Sequence, residues 1–412
     1  MIRVLHTADW HIGQTLRGFS REHEHARVFE ALVAIVEERE PDALVMAGDV
    51  FDSQNPSGDA QRLFYELLAR LHRARPGMTI VVTAGNHDAA GRLVAPRALL
   101  DAIGVHVVGN VRRAAGAIDV SRHLVPIRKD GEVAAHVLGV SYPTAACLPG
   151  LAAGLARDEP GSPIVRAVHD LYAALHEAAR PELTGLPYLV TGHLHVAGGL
   201  ESEGAERRIL VGGEHAVPAD VFPEDADYVA LGHLHRAQAI GQPTVRYSGS
   251  LIPLSATELA YRHGVSLVTL GDGPARTEHV VIDRPVPFLR LPDTGEIMLS
   301  ELGDRLAALD LDPGMHVGLR PFLQIVLARD GLPAGYRAEV DRIAEAFPAR
   351  VVDVRVARAE GPVVDLAPAG APMVRLAERD PEDLFRMAFT RTHGVEPAAA
   401  HLDVFHRARA GA

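Results

Sequence analysis

MIRVLHTADWH, residues 1–11, opens the chain with a short apolar run, IRVLHTA at 2–8, that ends on Asp9 and His11. The same event recurs four times. DALVMA at 42–47 runs into Gly48-Asp49 with Asp52 close behind, and TIVVTA at 79–84 runs into Gly85-Asn86-His87-Asp88. PYLVT at 187–191 precedes Gly192-His193-Leu194-His195, and DYVAL at 227–231 precedes Gly232-His233-Leu234-His235. Runs of this length, rich in Val, Ile and Leu, read as buried strands. Helical patterns separate the early ones, with Val28, Leu32, Ile35 and Val36 inside 21–39, and Leu63, Phe64, Leu67, Leu68 and Leu71 inside 59–73. Alternation of this kind defines an α/β chain. In an open α/β sheet ligands bind at the carboxyl ends of the strands, so these five strand ends are predicted to converge on one site.

The residue types at that site specify its chemistry. Carboxylate, amide and imidazole without thiolate suit manganese, iron or zinc in five- or six-coordinate geometry. Two Asp, one Asn and at least four His exceed what one ion takes, so the economical reading is two ions roughly 3.5 to 4 Å apart that clamp a phosphate and activate a water for in-line attack. A single GD or GH after a strand is usually only a turn; five together are not. The 22 histidines make any isolated one uninformative. His106, His123, His169, His176 and His401 have no clustered acids and read as ordinary residues, and His23 and His25, in REHEHAR, read as a solvated helix start. His195 is left outside the ligand set, since spacing alone does not assign it.

Composition narrows the function classes. At 412 residues and 47% hydrophobic, the chain can bury two or three cores. No apolar run reaches the roughly 18 residues a membrane helix needs, and the N-terminus lacks a basic n-region, so a cytoplasmic, non-exported protein is expected. Cys147 is the only cysteine, which excludes an intrachain disulfide and a thiolate metal cluster. A formal charge of −12 argues against a broad basic nucleic-acid surface but not against a metal site that recruits phosphates. Arg17, Arg21, Arg92, Arg97, Arg122 and Arg128 lie near or between the motifs and are candidate phosphate contacts.

In this order D-x-H, GDxxD, GNHD, GH and GHxH form the signature of calcineurin-like metallophosphoesterases, and the chain resembles that family. The match is close in TADWHIGQTL (7–16), GDVFD (48–52), AGNHD (84–88), TGHLHVAG (191–198), and DYVALGHLHRAQ (227–238) with RYSGSLIPLS (246–255). Within the family the resemblance is to the DNA-break nucleases that work with an SbcC-like ATPase. It implies a layered α/β/β/α sandwich of two mixed sheets, with a small α+β capping domain and C-terminal helices. It further implies that Asp9, His11 and His235 hold one Mn²⁺, that Asn86, His193 and His233 hold the other, and that Asp49 bridges them. His87 is then the general acid facing the leaving 3′ oxygen. Asp52 orients the bridging ligand as a supporting partner. Duplex DNA ends, cut by exonuclease action, and hairpins or blocked ends, cut by endonuclease action, are the implied substrates. A homodimer is implied as well, for which the stripe from Leu63 to Leu71 is wide enough.

Strand patterns at 206–282 (RRILVG, TVRYSGS, GVSLVTL, TEHVVI) suggest a second, more antiparallel sheet packed on the first, so that 1–282 forms the nuclease domain. Residues 283–358 read as a βαβαβ-like capping domain that contacts DNA, with helices near 296–309 and 336–346 and strands at 322–328 and 350–357. The Pro-rich 359–378 reads as a linker. Residues 379–412 carry two short helices, begun by Asp380 and Pro381, whose Leu384, Phe385, Phe389, Leu402 and Phe405 are candidates for docking on the ATPase. Two other readings stay open: a small-molecule phosphatase or phosphodiesterase using the same clamp, and a non-catalytic DNA-end tether.

Overall fold

The computed structural model describes residues 1–114, 117–148, 162–183, 185–202, 216–271, 273–333, 335–357, 380–393 and 396–410. Met1–Ala357 forms one compact unit and Arg358–Ala412 another. Twelve strands of the first unit build two sheets. They are β1 (Ile2–Thr7), β2 (Ala43–Ala47), β3 (Thr79–Thr83), β4 (Val105–Val108), β5 (Leu124–Lys129) and β6 (Glu132–Leu138). Next come β7 (Tyr188–His193), β8 (Tyr228–Gly232), β9 (Gln238–Ile240), β10 (Gln242–Tyr247), β11 (Gly264–Gly271) and β12 (Gly273–Val281). The first sheet runs β12-β11-β1-β2-β3-β4, with β1 to β4 parallel and β11 and β12 antiparallel at one side. The second runs β9-β10-β8-β7-β6-β5, parallel from β6 through β10 and antiparallel at both ends.

Side-chain alternation sorts the layers. In β1, Val4 faces the second sheet and shares a core with Val45, Val81, Val137, Leu189 and Ala230, whereas Leu5 faces the other way. That outer face is covered by α1 (Glu22–Arg39) and α2 (Gly58–Ala74), the second begun by Ser57, whose hydroxyl accepts the Ala60 N–H at 3.1 Å. On the far side of the second sheet, α3 (Pro163–Ala179) packs Val168, Leu171 and Leu175 against Leu138, Val190 and Leu231. The order is therefore α/β/β/α, as the resemblance implies.

Three expectations are corrected. First, the strands at 206–282 do not make a second antiparallel sheet. TVRYSGS joins β8 in parallel within the second sheet, while GVSLVTL and TEHVVI return to the free edge of β1 in the first; RRILVG lies outside the described residues. An isolated apolar run carries the same period whichever sheet it joins, so the partner is set by which edge is open. The five ligand-bearing strands accordingly belong to two sheets. Second, Phe64, Leu67, Leu68 and Leu71 are buried in the chain's own core and Leu63 is half-buried against it, so the stripe is taken up largely by packing within the chain. Third, His25 is not solvated but buried, with Nε2 2.9 Å from the Trp10 carbonyl.

A third, parallel sheet follows, of β13 (Phe288–Leu291), β14 (Phe322–Leu327) and β15 (Arg350–Val356), with α4 (Leu302–Ala307) and α5 (Tyr336–Ala344) packed over a core of its own. Arg350 attaches it to the rest: its guanidinium lies 3.8 Å over the Phe322 ring and donates to the Ser20 carbonyl at 3.3 Å. In the second unit, α6 (Pro381–His393) is capped by Asp380, whose carboxylate accepts the Glu382 N–H at 2.8 Å. Phe385 of α6 stacks on Phe405 of α7 (Ala399–Ala410) at 4.7 Å, so these two rings serve packing within the unit. The proposed linker lies outside the described residues. Among those described, no helix is long and apolar enough to cross a membrane.

His6 ties the two sheets together: its Nε2–H donates to the Leu231 carbonyl at 3.1 Å while Nδ1 accepts from the Tyr228 hydroxyl at 3.0 Å. Burial pushes this imidazole down to about 3, from an ordinary 6.5. Below pH 6.5 the unfolded chain therefore binds a proton that the folded chain refuses, so this contribution is complete above pH 6.5 and is lost as pH falls towards 3. At pH 5 the loss is ~2 kcal/mol. In chelator, thermal unfolding from pH 8 to 5 is expected to lower the midpoint less in His6→Gln than in the parent chain; equal slopes would contradict the assignment.

Candidate metal centre

Three of the five strand ends reach the site through unusual backbone. Asp9 (φ 53°), His11 (φ 46°), Asp49 (φ 55°) and His233 (φ 104°) all occupy the left-handed side of conformational space, which disfavours residues with a Cβ. Main-chain bonds hold the first strand end there: Asp9 N–H to Gly48 O at 3.0 Å, and His11 N–H to Asp49 O at 3.1 Å. The Asp9 carboxylate in turn accepts the His233 N–H at 3.0 Å, joining β1 to β8 across the two sheets. Gly85 has to be glycine for lack of room, because a Cβ there would press on the Asp49 carboxylate carbon at 2.7 Å.

The side chains converge as the sequence predicts. Asp9, His11 and His235 bring ligand atoms within 4.8 Å of one another, and so do Asp9, Asp49 and His193. Asp49 lies between the two halves of the cluster. Its Oδ2 is 3.5 Å from His11 Nε2 on one side and 3.3 Å from His193 Nε2 on the other, and its Oδ1 accepts the His87 N–H at 2.8 Å. Asn86 Oδ1 faces His193 Nε2 at 2.9 Å and His233 Nδ1 at 3.2 Å. His195 stands apart, with Nε2 3.1 Å from Glu201. Asp52 is beside His11 at 3.3 Å, and its carbonyl accepts from His87 Nδ1 at 2.8 Å, so that it contacts two of the histidines that surround Asp49.

The electrostatics are those of a cation site. Burial pushes the Asp9 carboxyl up. Burial would do the same to Asp49, but His193, His11 and His87 around it hold it well below the carboxylate range. Burial opposes charge on His193 as well, yet Asp49 raises it to about 9. His233 is driven well below its ordinary value by burial and by the His193 charge. Both ring nitrogens of His11 and the amide nitrogen of Asn86 are buried without a hydrogen bond, a costly condition unless a further group occupies the cluster. Oxygen and imidazole donors around buried negative charge fit one or more divalent ions.

Two supporting carboxylates had no role in the sequence reading. Asp88 accepts three backbone N–H groups, from Val50 at 3.0 Å, Phe51 at 3.0 Å and Gly85 at 2.8 Å, and so locks the loop after β2 to the loop after β3. Burial, with Asp49 nearby, lifts it to about 6. Its place in GNHD was the available signal. Glu258 is buried and accepts from His235 Nδ1 at 2.8 Å and from the Leu254 N–H at 2.8 Å, aiming the other imidazole nitrogen at the cluster. It lies 23 residues beyond His235, where no spacing rule points.

Two family models match the chain. The calcineurin-like phosphoesterase family model matches residues 2–237, and the model described as type 5 capsule protein repressor C-terminal domain matches residues 284–393. The chain is 46% identical over 391 residues to the SbcD subunit of the SbcCD nuclease of Rhodobacter capsulatus, covering 94% of each. It is 38% identical over 322 residues to the SbcD subunit of Bacillus subtilis (76% of this chain, 78% of the other). Against the SbcD subunit of Escherichia coli the identity is 33% over 365 residues (87% and 86%).

Glu258→Ala is expected to weaken Mn²⁺ binding about 10- to 100-fold by calorimetry, because His235 loses its orienting acceptor. Asp88→Asn replaces one acceptor oxygen with an N–H donor facing backbone N–H groups, and should lower stability to urea by about 1–3 kcal/mol. Unchanged metal affinity in the first or unchanged stability in the second would contradict these roles.

Proposed function

The chain belongs to the calcineurin-like phosphoesterases and, within them, to the SbcD nuclease family, and we propose that it cuts DNA at duplex ends and at hairpins. It is a metal-dependent phosphoesterase. The observation that supports the reading most is the position of Asp49 Oδ2 between His11 and His193. On this reading Asp9, His11 and His235 would hold one ion, Asn86, His193 and His233 would hold a second, and Asp49 would serve both, with Mn²⁺ the proposed metal. When bound, such a pair supplies Lewis acidity to the phosphoryl oxygens and makes a nearby water more acidic.

The remaining steps fall to the chain's own groups. His87 donates its Nδ1–H to the Asp52 carbonyl at 2.8 Å, which orients the ring and leaves Nε2 as the atom proposed to give a proton to the leaving 3′ oxygen. Asp52 positions both His87 and His11. The rigid loops around Asp88 keep the donors fixed while the substrate phosphate enters. The full ligand set speaks for turnover and against a tether.

We further propose a cytoplasmic complex with an SbcC-like ATPase, reached through the helical pair at 381–410, on which Met387 and Val404 are exposed. The region 283–358 is proposed to contact DNA. Homodimerisation keeps only the family resemblance behind it.

Digestion of a linear duplex and a hairpin with Mn²⁺, Mg²⁺ or chelator tests the proposal. Cutting is expected with Mn²⁺ and is abolished, along with metal binding, in Asp49→Ala. His87→Ala should keep its metal and lose about 10²- to 10⁴-fold in rate. Hydrolysis of a small phosphodiester with no cutting of DNA, alone or with the ATPase, would overturn the nuclease reading; loss of manganese in His87→Ala would overturn the role of that residue.

A further inference from the structure

The six arginines offered by the sequence as phosphate contacts separate in the structure. Arg21 is buried against Glu24 at 2.6 Å and is withdrawn from that set. Arg17 reaches Asp341 at 3.6 Å, Arg128 donates to the Gly131 carbonyl at its own hairpin turn, and Arg92 is exposed and outside the lining described next. Arg97 and Arg122, however, meet Arg112 around one cleft of about 440 Å³, together with Asn110, Asp119 and His123. That volume is within the range of small-ligand clefts.

The place of the cleft matters as much as its lining. One wall is the short helix Ala90–Val94, two residues past Asp88, and another is Gly109-Asn110, immediately after β4. It therefore lies on the strand-end rim that carries the metal centre. His123, buried, is bonded through Nδ1 to the Gly139 carbonyl at 2.9 Å. Two residues on, the Ser141 hydroxyl donates to the Val108 carbonyl at 2.8 Å and accepts the Ala84 N–H at 2.9 Å, next to Gly85-Asn86-His87. The floor of the cleft and the loop of the metal centre thus share one hydrogen-bonded frame.

Its charge is the reverse of the chain's. Three arginines and one aspartate are among the residues lining the cleft, in a chain of formal charge −12. Arg97 pairs with Asp101 only at 3.4 Å, and its Nε is buried without a hydrogen bond. Arg122 and Asp119 are 3.6 Å apart and both solvent-accessible, a separation at which an ion pair is weak. A phosphate would offer these forks the short, charge-assisted geometry that the carboxylates do not.

We propose that this cleft is a phosphate-binding subsite. The proposal rests on the nuclease reading above. The phosphate has two possible sources of identical chemistry: the backbone of the strand held at the metal centre, or a nucleotide released from it.

The test uses the full chain in chelator, so that binding is read without cleavage. Duplex affinity is followed by fluorescence anisotropy across salt for the parent chain, Arg112→Gln/Arg122→Gln and Asp119→Asn, and deoxyadenosine 5′-monophosphate binding by calorimetry. If the phosphate belongs to the strand, the double variant binds duplex about tenfold more weakly at moderate salt, its salt slope is shallower by about 1 to 2, and Asp119→Asn binds more tightly. If it belongs to a released nucleotide, only the monophosphate binding is lost. Parent-like binding of both probes in both variants overturns the subsite. Hydrolysis of bis(p-nitrophenyl) phosphate with Mn²⁺ should stay within about twofold in the double variant; its loss would mean the arginines support the metal centre and would also overturn the subsite. Failure of the parent chain to cut DNA counts against the nuclease reading alone, since the binding arms need no cleavage.

Discussion

Two buried carboxylates that cannot stay uncompensated set the terms for the rest of this structure. Asp9 and Asp49 sit where the strand ends of two sheets face each other, withdrawn from water. Leaving an ionised carboxylate in such a place is costly unless opposite charge or hydrogen-bond donors surround it. Here the surroundings are imidazoles from both sheets, backbone N–H groups of His87 and His233, and an amide. Neither sheet alone could assemble that set: β1, β2 and β3 bring the acids and Asn86, while β7 and β8 bring His193, His233 and His235. The sandwich is the scaffold that makes the two halves meet.

The cost of the arrangement is visible in the backbone. Asp9, His11, Asp49 and His233 hold conformations that glycine would adopt more readily, and each is fixed by a main-chain bond or by neighbours that are. Asp88 is the chief brace, because three N–H groups from two loops depend on its carboxylate. The capping sheet reaches the same region through Phe322, over whose ring the Arg21 guanidinium lies at 5.5 Å while it is shared between Glu24 and the Gln14 side chain, three residues after His11. Strain at the ligands is thus sustained by buried polar contacts in the loops that carry them.

The sequence made the candidate ligands legible because each strand end repeats one local pattern: an apolar run, then acid, amide or imidazole. That pattern is local and survives without knowledge of the fold. What it could not reveal was pairing. GVSLVTL and TEHVVI have the period of any buried strand, and only the open edge of β1 assigns them to the first sheet. Burial of charged residues was equally hidden: Arg21 and His25 read as surface positions because the Phe322 ring and the Trp10 carbonyl come up against them only once the chain has folded. Glu258 escaped for the same reason, being brought to His235 by a turn of chain that no motif records.

Everything proposed for the chemistry depends on this cluster holding two divalent ions bridged by Asp49. Anomalous diffraction from crystals of the full chain soaked in Mn²⁺ addresses that directly. Two peaks are expected roughly 3.5–4 Å apart, one against Asp9, His11 and His235 and one against Asn86, His193 and His233, with Asp49 touching both. A single ion, or one seated instead among His11, Asp52 and His87, whose ligand atoms also lie within 4.8 Å of one another, would contradict the bridged pair.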